Sequence, residues 1–276
     1  MKLKGKILEA LLSIIVFFVI VTFGEIKETN HVDSDIKREI DATLLMMKEA
    51  DLALPSLGYS LDILDVNIHR TDSDINKMLR RTGDKSGSFT FRYSDIGIFT
   101  MSAQGVDGLQ YLVNTYLEGF QPFKVENIMM PLFILSQRKR YILDEKLYPG
   151  RSEVWQSSRQ AFYYTRGDCE DHAIALADWL IAMGEDARVV LGDWDGEGHA
   201  WVLLFKNGKE YLLEATTKRG LSRNKPYPVA VLHRDYHPEY MFNRDYFWEN
   251  TGSKYTTNYS GESWKKKSRY NYKYKS

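Results

Sequence analysis

The 276-residue sequence predicts an α+β fold in which one helix packs on an antiparallel sheet. Two features carry this prediction. Apolar residues recur at helical spacing from Ala173 to Leu180, and two β-type runs flank an Asn-Gly pair at Asn207. Because both features fall between Thr165 and Thr216, we expect this stretch to form the centre of the fold.

Composition limits the classes of function. Hydrophobic residues make up 43% of the chain and aromatic residues 13%, which allows one sizeable core with appendages. The 37 basic and 37 acidic residues balance, so no overall field favours nucleic acid, and we expect no nucleic-acid partner. The single cysteine excludes an internal disulfide framework, and a lone thiol in an exported chain indicates chemistry.

The predicted helix begins at that cysteine. Asp168 is a residue type that caps helices, so Cys169 becomes the first helical residue, and Gly184 supplies a C-terminal stop. The helix dipole lowers the pKa of a thiol at this end, whereas the carboxylates of Asp168, Glu170 and Asp171 raise it. We expect these effects to cancel, so activation of the thiol needs a third group.

A predicted hairpin supplies that group. HAWVLLF and EYLLEAT flank a two-residue turn that pairs Lys206 with Lys209. The alternation of side chains then puts four residues on one face: His199, Trp201, Glu214 and Thr216. A slip of one residue would move the carboxylate to the opposite face. If the helix packs on the face with the histidine, a thiol, an imidazole and a carboxylate align as nucleophile, base and orienter.

The segments GDCEDHA, GHAWVLL and YLLEAT together resemble the core of the bacterial transglutaminase-like cysteine proteinases, within the transglutaminase-like superfamily. The resemblance runs from about Leu143 to Thr217 and includes LDEKLYPGRSEVWQSSRQAF. It implies a papain-like core with Cys169 as nucleophile, His199 as base and Glu214 in the third position, where the family more often has Asp.

The resemblance also bears on cofactors and activity. Some family members bind calcium through acidic residues flanking the cysteine, and Asp168, Glu170 and Asp171 match by position. No other cofactor and no zinc site is expected, because Pro238 interrupts the His233 and His237 pair. The implied reaction is formation of a thioester with a peptide or amide carbonyl, followed by hydrolysis of a protein or peptide substrate.

Two other functions stay open on the residues. Transfer of the acyl group to an amine, as in a protein-glutamine transglutaminase, shares every step up to the thioester. Alternatively, the chain is a non-catalytic, membrane-anchored binding module, in which Cys169 is a small buried hydrophobe, His199 a core histidine and Glu214 a charge at a strand end.

The donor that would stabilise the oxyanion is also open. Candidates beside the Cys169 N–H are Trp155, Gln156, Gln160, Tyr163 and Tyr164.

The start of the chain predicts a membrane anchor. Three lysines precede an apolar run from Ile7 to Phe23, and no small-x-small cleavage site follows it, which favours an anchor at 1–24 over a cleaved signal peptide. Because the lysines keep the N-terminus inside, we expect an extracytoplasmic, periplasmic catalytic domain.

The remaining chain divides by pattern. Helical spacing predicts a mostly helical N-terminal region over 25–140, with helices over 34–50, 111–120 and 128–136. The catalytic core is predicted over 141–250. The polar, lysine-rich segment at 251–276 predicts a disordered basic tail.

Overall fold

The computed structural model describes residues 58–83, 85–216 and 228–273. The predicted anchor at 1–24 and the predicted helix over 34–50 lie outside the described residues. Within the described ranges, no helix is both long enough and apolar enough to cross a membrane.

An eight-stranded sheet is the largest element, and neighbouring strands in it run antiparallel. Its strands are β1 (Gly58–Ile63), β2 (Ile68–Arg70), β8 (Asp186–Trp194), β9 (Glu197–Lys206), β10 (Lys209–Leu213), β11 (Tyr236–Phe242), β12 (Tyr246–Asn250) and β13 (Trp264–Lys273). The strand order is β10-β9-β8-β11-β12-β13-β1-β2.

Two smaller sheets accompany it. One is antiparallel and has three strands: β3 (Ser88–Tyr93), β4 (Gly97–Gln104) and β5 (Gln110–Leu112). The other is a parallel pair of two-residue strands, β6 (Arg140–Tyr141) and β7 (Arg166–Gly167), which lies directly before the cysteine. The mixed architecture with a large antiparallel sheet agrees with the predicted α+β class.

Five α-helices lie in the described ranges: α1 (Asp72–Thr82), α2 (Met130–Arg138), α3 (Asp144–Leu147), α4 (Ser158–Tyr163) and α5 (Cys169–Ala182). As predicted, α5 begins at the cysteine. It ends where Gly184 adopts φ +88°, and the N–H of Glu185 returns to the carbonyl of Leu180 at 3.1 Å. This pattern satisfies the last helical carbonyls and needs the left-handed conformation that glycine adopts freely.

Two apolar cores lie on opposite faces of the large sheet. The core under α5 includes Ala173, Leu176, Ala177, Leu180, Ala200, Val202 and Leu204. The core on the other face includes Val190, Trp201, Leu203, Leu212, Met241 and Trp248. Strand β9 contributes alternate residues to both cores and is therefore buried on both faces.

The predicted disordered tail is wrong for residues 264–273. This segment forms β13, which lies inside the sheet between β12 and β1. Its lysines are not all solvated, because Lys267 is buried and donates to Asp65 at 2.9 Å and to the carbonyl of Ile96 at 2.6 Å. Tyr270 and Trp264 are buried as well, so the aromatic residues between the lysines were the signal for a strand.

The predicted helical character of 25–140 is also wrong for the described part of that range. Residues 58–112 contain strands β1 to β5 and one helix, α1. The helix predicted over 111–120 is replaced by β5 and a 3₁₀ turn at Val113–Tyr116. Four successive turn residues are buried there, so the apolar run reflects burial on several sides. The helix predicted over 128–136 is present as α2, two residues further on.

Candidate active site

The start of α5 holds the thiol in a partly buried, acidic setting. Asp168 occupies the N-cap position, but its side chain makes no capping bond to the helix; it accepts the N–H of Asp144 at 3.3 Å instead. The Cys169 thiol accepts the backbone N–H of Ala200 and donates to Glu170 Oε2 at 3.4 Å. Burial, then the charge of Asp168, raises the thiol pKa to about 12. Desolvation is thus the largest influence on the thiol pKa in this structure, and it opposes formation of the thiolate.

The predicted hairpin register is confirmed. Lys206 pairs with Lys209, and Val202 pairs with Leu213. One residue beyond β10, Glu214 Oε2 accepts His199 Nε2 at 2.8 Å. The structure therefore brings together the two predicted residues of the sheet.

Two further residues hold the Glu214 carboxylate. The hydroxyl of Tyr236 donates to Oε2 at 3.1 Å, and Thr216 donates to Oε1 through its N–H at 2.9 Å and its hydroxyl at 2.6 Å. Sequence reasoning placed Thr216 on this face but missed Tyr236, which arrives from β11 across the sheet. No local pattern marks it, because the contact depends on strand order.

These bonds set the charge and the tautomer of the pair. Burial alone would raise the pKa of Glu214, but its bond to and attraction by His199, with the Thr216 bonds, hold that pKa below its ordinary value. Since an ionised carboxylate only accepts hydrogen bonds, Nε2 of His199 carries the proton. Nδ1 is left as the acceptor, which is the state that a general base requires.

The hypothesis that α5 packs on the histidine face is wrong. The helix packs on the face with Ala200 and Val202, whereas the His199 ring lies beside Trp201 on the other face, with ring centroids 6.3 Å apart. The reason is that β9 is apolar on both faces, so alternation alone did not select the helix side.

The thiol instead meets β9 at its edge. Strand β10 pairs with β9 only as far as Val202, and β8 occupies the other side, opposite Ala200. The Ala200 N–H therefore lies beyond the last β9–β10 pair among the described residues, and the Cys169 sulfur takes it. This position is one residue from His199 along the strand.

Four buried carboxyl groups cluster beside the thiol: Asp144, Asp168, Glu170 and Asp171. One ligand oxygen from each lies within 4.8 Å of the others. Each group also has an oxygen with no hydrogen-bond partner, at Asp144 Oδ1, Asp168 Oδ1, Glu170 Oε1 and Asp171 Oδ2. Burial followed by repulsion from Asp168 raises the pKa of Asp144 to about 7.

This cluster could hold a metal ion. Oxygen-only donor sets suit hard cations such as Ca²⁺, and buried carboxylate oxygens without partners leave ligand positions open. Three of the four groups are those predicted from the sequence. Asp144 was missed because it lies 24 residues before Asp168, as the first residue of α3, and joins the cluster only through the tertiary fold.

Lys139 also lies near the cluster. Burial lowers the pKa of its ammonium group to about 8, although the charge of Asp171 opposes that shift.

Two of the candidate oxyanion donors have their side-chain N–H groups engaged elsewhere. Gln156 Nε2 donates to the carbonyl of Arg166 at 2.9 Å, and Trp155 Nε1 donates to Glu153 at 2.7 Å. The side-chain oxygen of Gln160 accepts the N–H of Ser157 at 2.9 Å. Tyr163 packs edge-on against Phe162. These contacts are structural and assign none of the four to the thiol.

The remaining predicted residues also have structural partners. His237 Nδ1 bonds Asp193 at 3.1 Å, and the His233 ring packs on Tyr236. Asp193 is thus paired with His237 and not with His199.

Sequence comparison matches part of the chain. The family model described as the CEP76 peptidase-like domain matches residues 153–272. The human protein CC2D2B is 26% identical over 119 residues, which is 39% of this chain and 8% of that protein. The chain therefore spans less than a tenth of that relative's length.

Solved structures give a distant likeness. Legionella pneumophila LapG is 18% identical, with a TM-score of 0.37, covering 51% of this chain and 87% of LapG. EGTA-treated LapG from the same organism is 17% identical, with a TM-score of 0.37, covering 50% of this chain and 83% of LapG. A candidate cysteine protease from Cytophaga hutchinsonii is 18% identical with a TM-score of 0.29, covering 57% of this chain and 49% of that one.

Proposed function

We propose that this chain is a cysteine peptidase of the transglutaminase-like superfamily that hydrolyses a protein or peptide substrate. Its nucleophile is Cys169, its base His199 and its orienting carboxylate Glu214. The observation that carries the proposal is the 2.8 Å bond between the imidazole and the carboxylate, one residue from the N–H that binds the thiol. The match of 153–272 to a peptidase-like domain supports it.

The proposed reaction follows from the tautomer. His199 Nδ1 takes the thiol proton, and the sulfur of Cys169 forms a bond to the substrate carbonyl carbon. The imidazolium then protonates the leaving amine as the C–N bond breaks, which leaves a thioester. Water attacks the thioester with the imidazole as base, and the carboxylic acid and free thiol result. An amine in place of water would make the same site a transglutaminase.

We also propose that the acidic cluster binds calcium. The ligands would be Asp144, Asp168, Glu170 and Asp171, whose unpartnered oxygens fit a hard cation. A bound cation would supply positive charge beside Cys169, and it would offset the carboxylates that oppose formation of a thiolate. The four side chains themselves tie α3 to the start of α5.

A second candidate is the non-catalytic binding module, and one observation favours it. The thiol is partly buried, is bonded to Ala200 and Glu170, and has a pKa raised to about 12, which describes a packed side chain better than an activated nucleophile. In this alternative the fold serves assembly, and His199 and Glu214 only satisfy each other.

Thiol labelling separates the two candidates. The full-length protein is treated with iodoacetamide, with calcium or with EGTA, and labelling of Cys169 is measured by mass spectrometry. We expect the wild type to react faster than a free thiol peptide and His199→Ala to react at least about 100-fold more slowly than the wild type. His237→Ala is the matched control, because that histidine also bonds a carboxylate. Equal rates in wild type and His199→Ala would establish the binding module.

The proposed location is a membrane, with the apolar N-terminal segment at 1–24 as anchor and the catalytic domain on the periplasmic side. The lysine-led apolar run supports it. Intact spheroplasts treated with external protease should lose the catalytic domain, and the protein should fractionate with membranes. A soluble form trimmed near residue 24 would indicate a cleaved signal peptide instead.

A further inference from the structure

Tyr141 is held rigidly beside the nucleophile. It lies in β6, opposite Gly167 of β7, which is two residues before Cys169. Backbone bonds on either side fix it: Arg140 N–H donates to Thr165 O at 2.8 Å, and Ile142 N–H donates to Gly167 O at 3.0 Å. A movement of Tyr141 would therefore break the pairing that leads into α5.

The ring of Tyr141 packs on the start of α5 and is partly exposed. The residue is 46% exposed, and its ring packs on that of His172 in the first turn of α5, with centroids 6.2 Å apart. Burial raises the pKa of its phenol, and the charges of four groups raise it further: Cys169, Asp168, Glu170 and Glu214. The phenol thus lies within electrostatic reach of both the nucleophile and the carboxylate.

A second exposed aromatic ring lies beside the base. Trp194 ends β8, is 41% exposed, and has its ring centroid 5.4 Å from that of His199. Its indole N–H donates to Asp235 at 2.9 Å, which fixes the orientation of the ring. An oriented and exposed indole at a reactive histidine presents apolar area that solvent covers poorly.

Exposed apolar surface thus brackets the candidate triad. Leu143 extends it on the cysteine side, since it is 46% exposed and two residues from Tyr141. Rings that are fixed before a ligand arrives lose little entropy on binding. A peptide that reaches both the thiol and the imidazole would therefore meet an exposed aromatic ring beside each.

We propose that Tyr141 and Trp194 are the specificity-determining residues of this site, and that they select peptides with a bulky apolar side chain next to the scissile carbonyl. This inference rests on the proposed function for the location of the scissile bond. The aromatic rings would contact the substrate side chain, while Cys169, His199 and Glu214 would act on the carbonyl. The phenol hydroxyl has no required part in the selection.

Equilibrium binding tests the selection without requiring turnover. Full-length protein carrying Cys169→Ala is titrated with fluorescent peptides that differ at one position, Phe or Leu against Ser or Asp. We expect the apolar peptides to bind about tenfold more tightly, the usual scale for a hydrophobic contact. Adding Tyr141→Ala or Trp194→Ala should remove the preference, and Tyr141→Phe should retain it.

Leu64→Ala is the matched control, because Leu64 is 39% exposed and follows β1, near the far end of the sheet from β9. It should leave the preference unchanged. Equal binding of apolar and polar peptides, or a preference that survives both alanine substitutions, would overturn the inference. Failure of Cys169 to label in the wild type would instead overturn the proposed function, so the two failures are distinguishable.

Discussion

Replacement of Glu214 by Gln tests the candidate triad most directly. The carboxylate accepts four hydrogen bonds: two from Thr216 on Oε1, and one each from His199 and Tyr236 on Oε2. A Gln side chain keeps one acceptor oxygen and turns the other position into a donor. Hydroxyl partners can rotate to accept, but a ring or backbone N–H that faces the new amide loses its acceptor. One unsatisfied buried donor costs about 1–3 kcal/mol.

The effect on the thiol should exceed the effect on stability. If the amide faces His199, the ring takes the tautomer with its proton on Nδ1 and is no longer an acceptor for the thiol. General-base assistance contributes about 10²–10⁴ in rate, so labelling of Cys169 should fall at least about 100-fold. Glu214→Asp keeps the charge and the tautomer, and we expect it to retain substantial reactivity although the shorter arm reaches fewer partners.

The same substitution should change the pH dependence of stability. The folded pKa of Glu214 is held below its ordinary value of 4.5, so the carboxylate stabilises the fold above that value, and this contribution is lost as pH falls through the folded pKa. The difference in Tm between wild type and Glu214→Gln should therefore shrink in acid. Glu197→Gln, an exposed substitution in β9 two residues before His199, is the control. Labelling of Glu214→Gln at the wild-type rate across pH would refute the orienting role.

Three further outcomes are expected. Calcium at about 100 times its Kd should stabilise the protein by about 2.7 kcal/mol over EGTA in thermal unfolding, and Asp171→Asn should remove the gain; equal Tm values in both buffers would contradict the cation site. Arg244→Ala should cost about 3–5 kcal/mol in denaturant unfolding, because Arg244 Nε bonds the buried Asp178 at 2.6 Å. Arg159→Ala should cost less, because Arg159 is the more exposed arginine and its Nε lies 3.7 Å from Glu118. Deletion of 264–273 should abolish cooperative unfolding by circular dichroism, since β13 lies inside the sheet; a cooperatively folded truncation would show the strand to be dispensable.

Local chemistry predicted the centre of the fold well. The start of α5, its glycine stop and the hairpin register each depend on residues close in sequence: Cys169, Gly184 and the pair Asn207–Gly208. A turn of two residues allows one register, and that register sets which side chains share a face. The contact between His199 and Glu214 follows from it without any knowledge of the rest of the sheet.

Contacts between distant segments were not predictable in the same way. Strand β13 pairs with β1, more than 190 residues earlier, and a lysine-rich segment shows no sign of such a partner until the partner is known. Asp144 reaches the acidic cluster, and Tyr236 reaches Glu214, only because α3 and β11 are placed there by the tertiary fold. The local pattern of a single sequence does not specify where such distant segments are placed.

The side of the sheet that α5 covers decides how the thiol and imidazole can meet. Since β9 is apolar on both faces, two arrangements were compatible with its sequence, and the fold has the one with Ala200 and Val202 under the helix. That choice moves the thiol from the His199 face to the strand edge, where Ala200 N–H binds it. In the proposed mechanism, proton transfer between the two passes around the edge of β9, beyond the last β10 pair. That mechanism therefore requires β10 to end at Leu213, and a hairpin extended past that residue would close the approach.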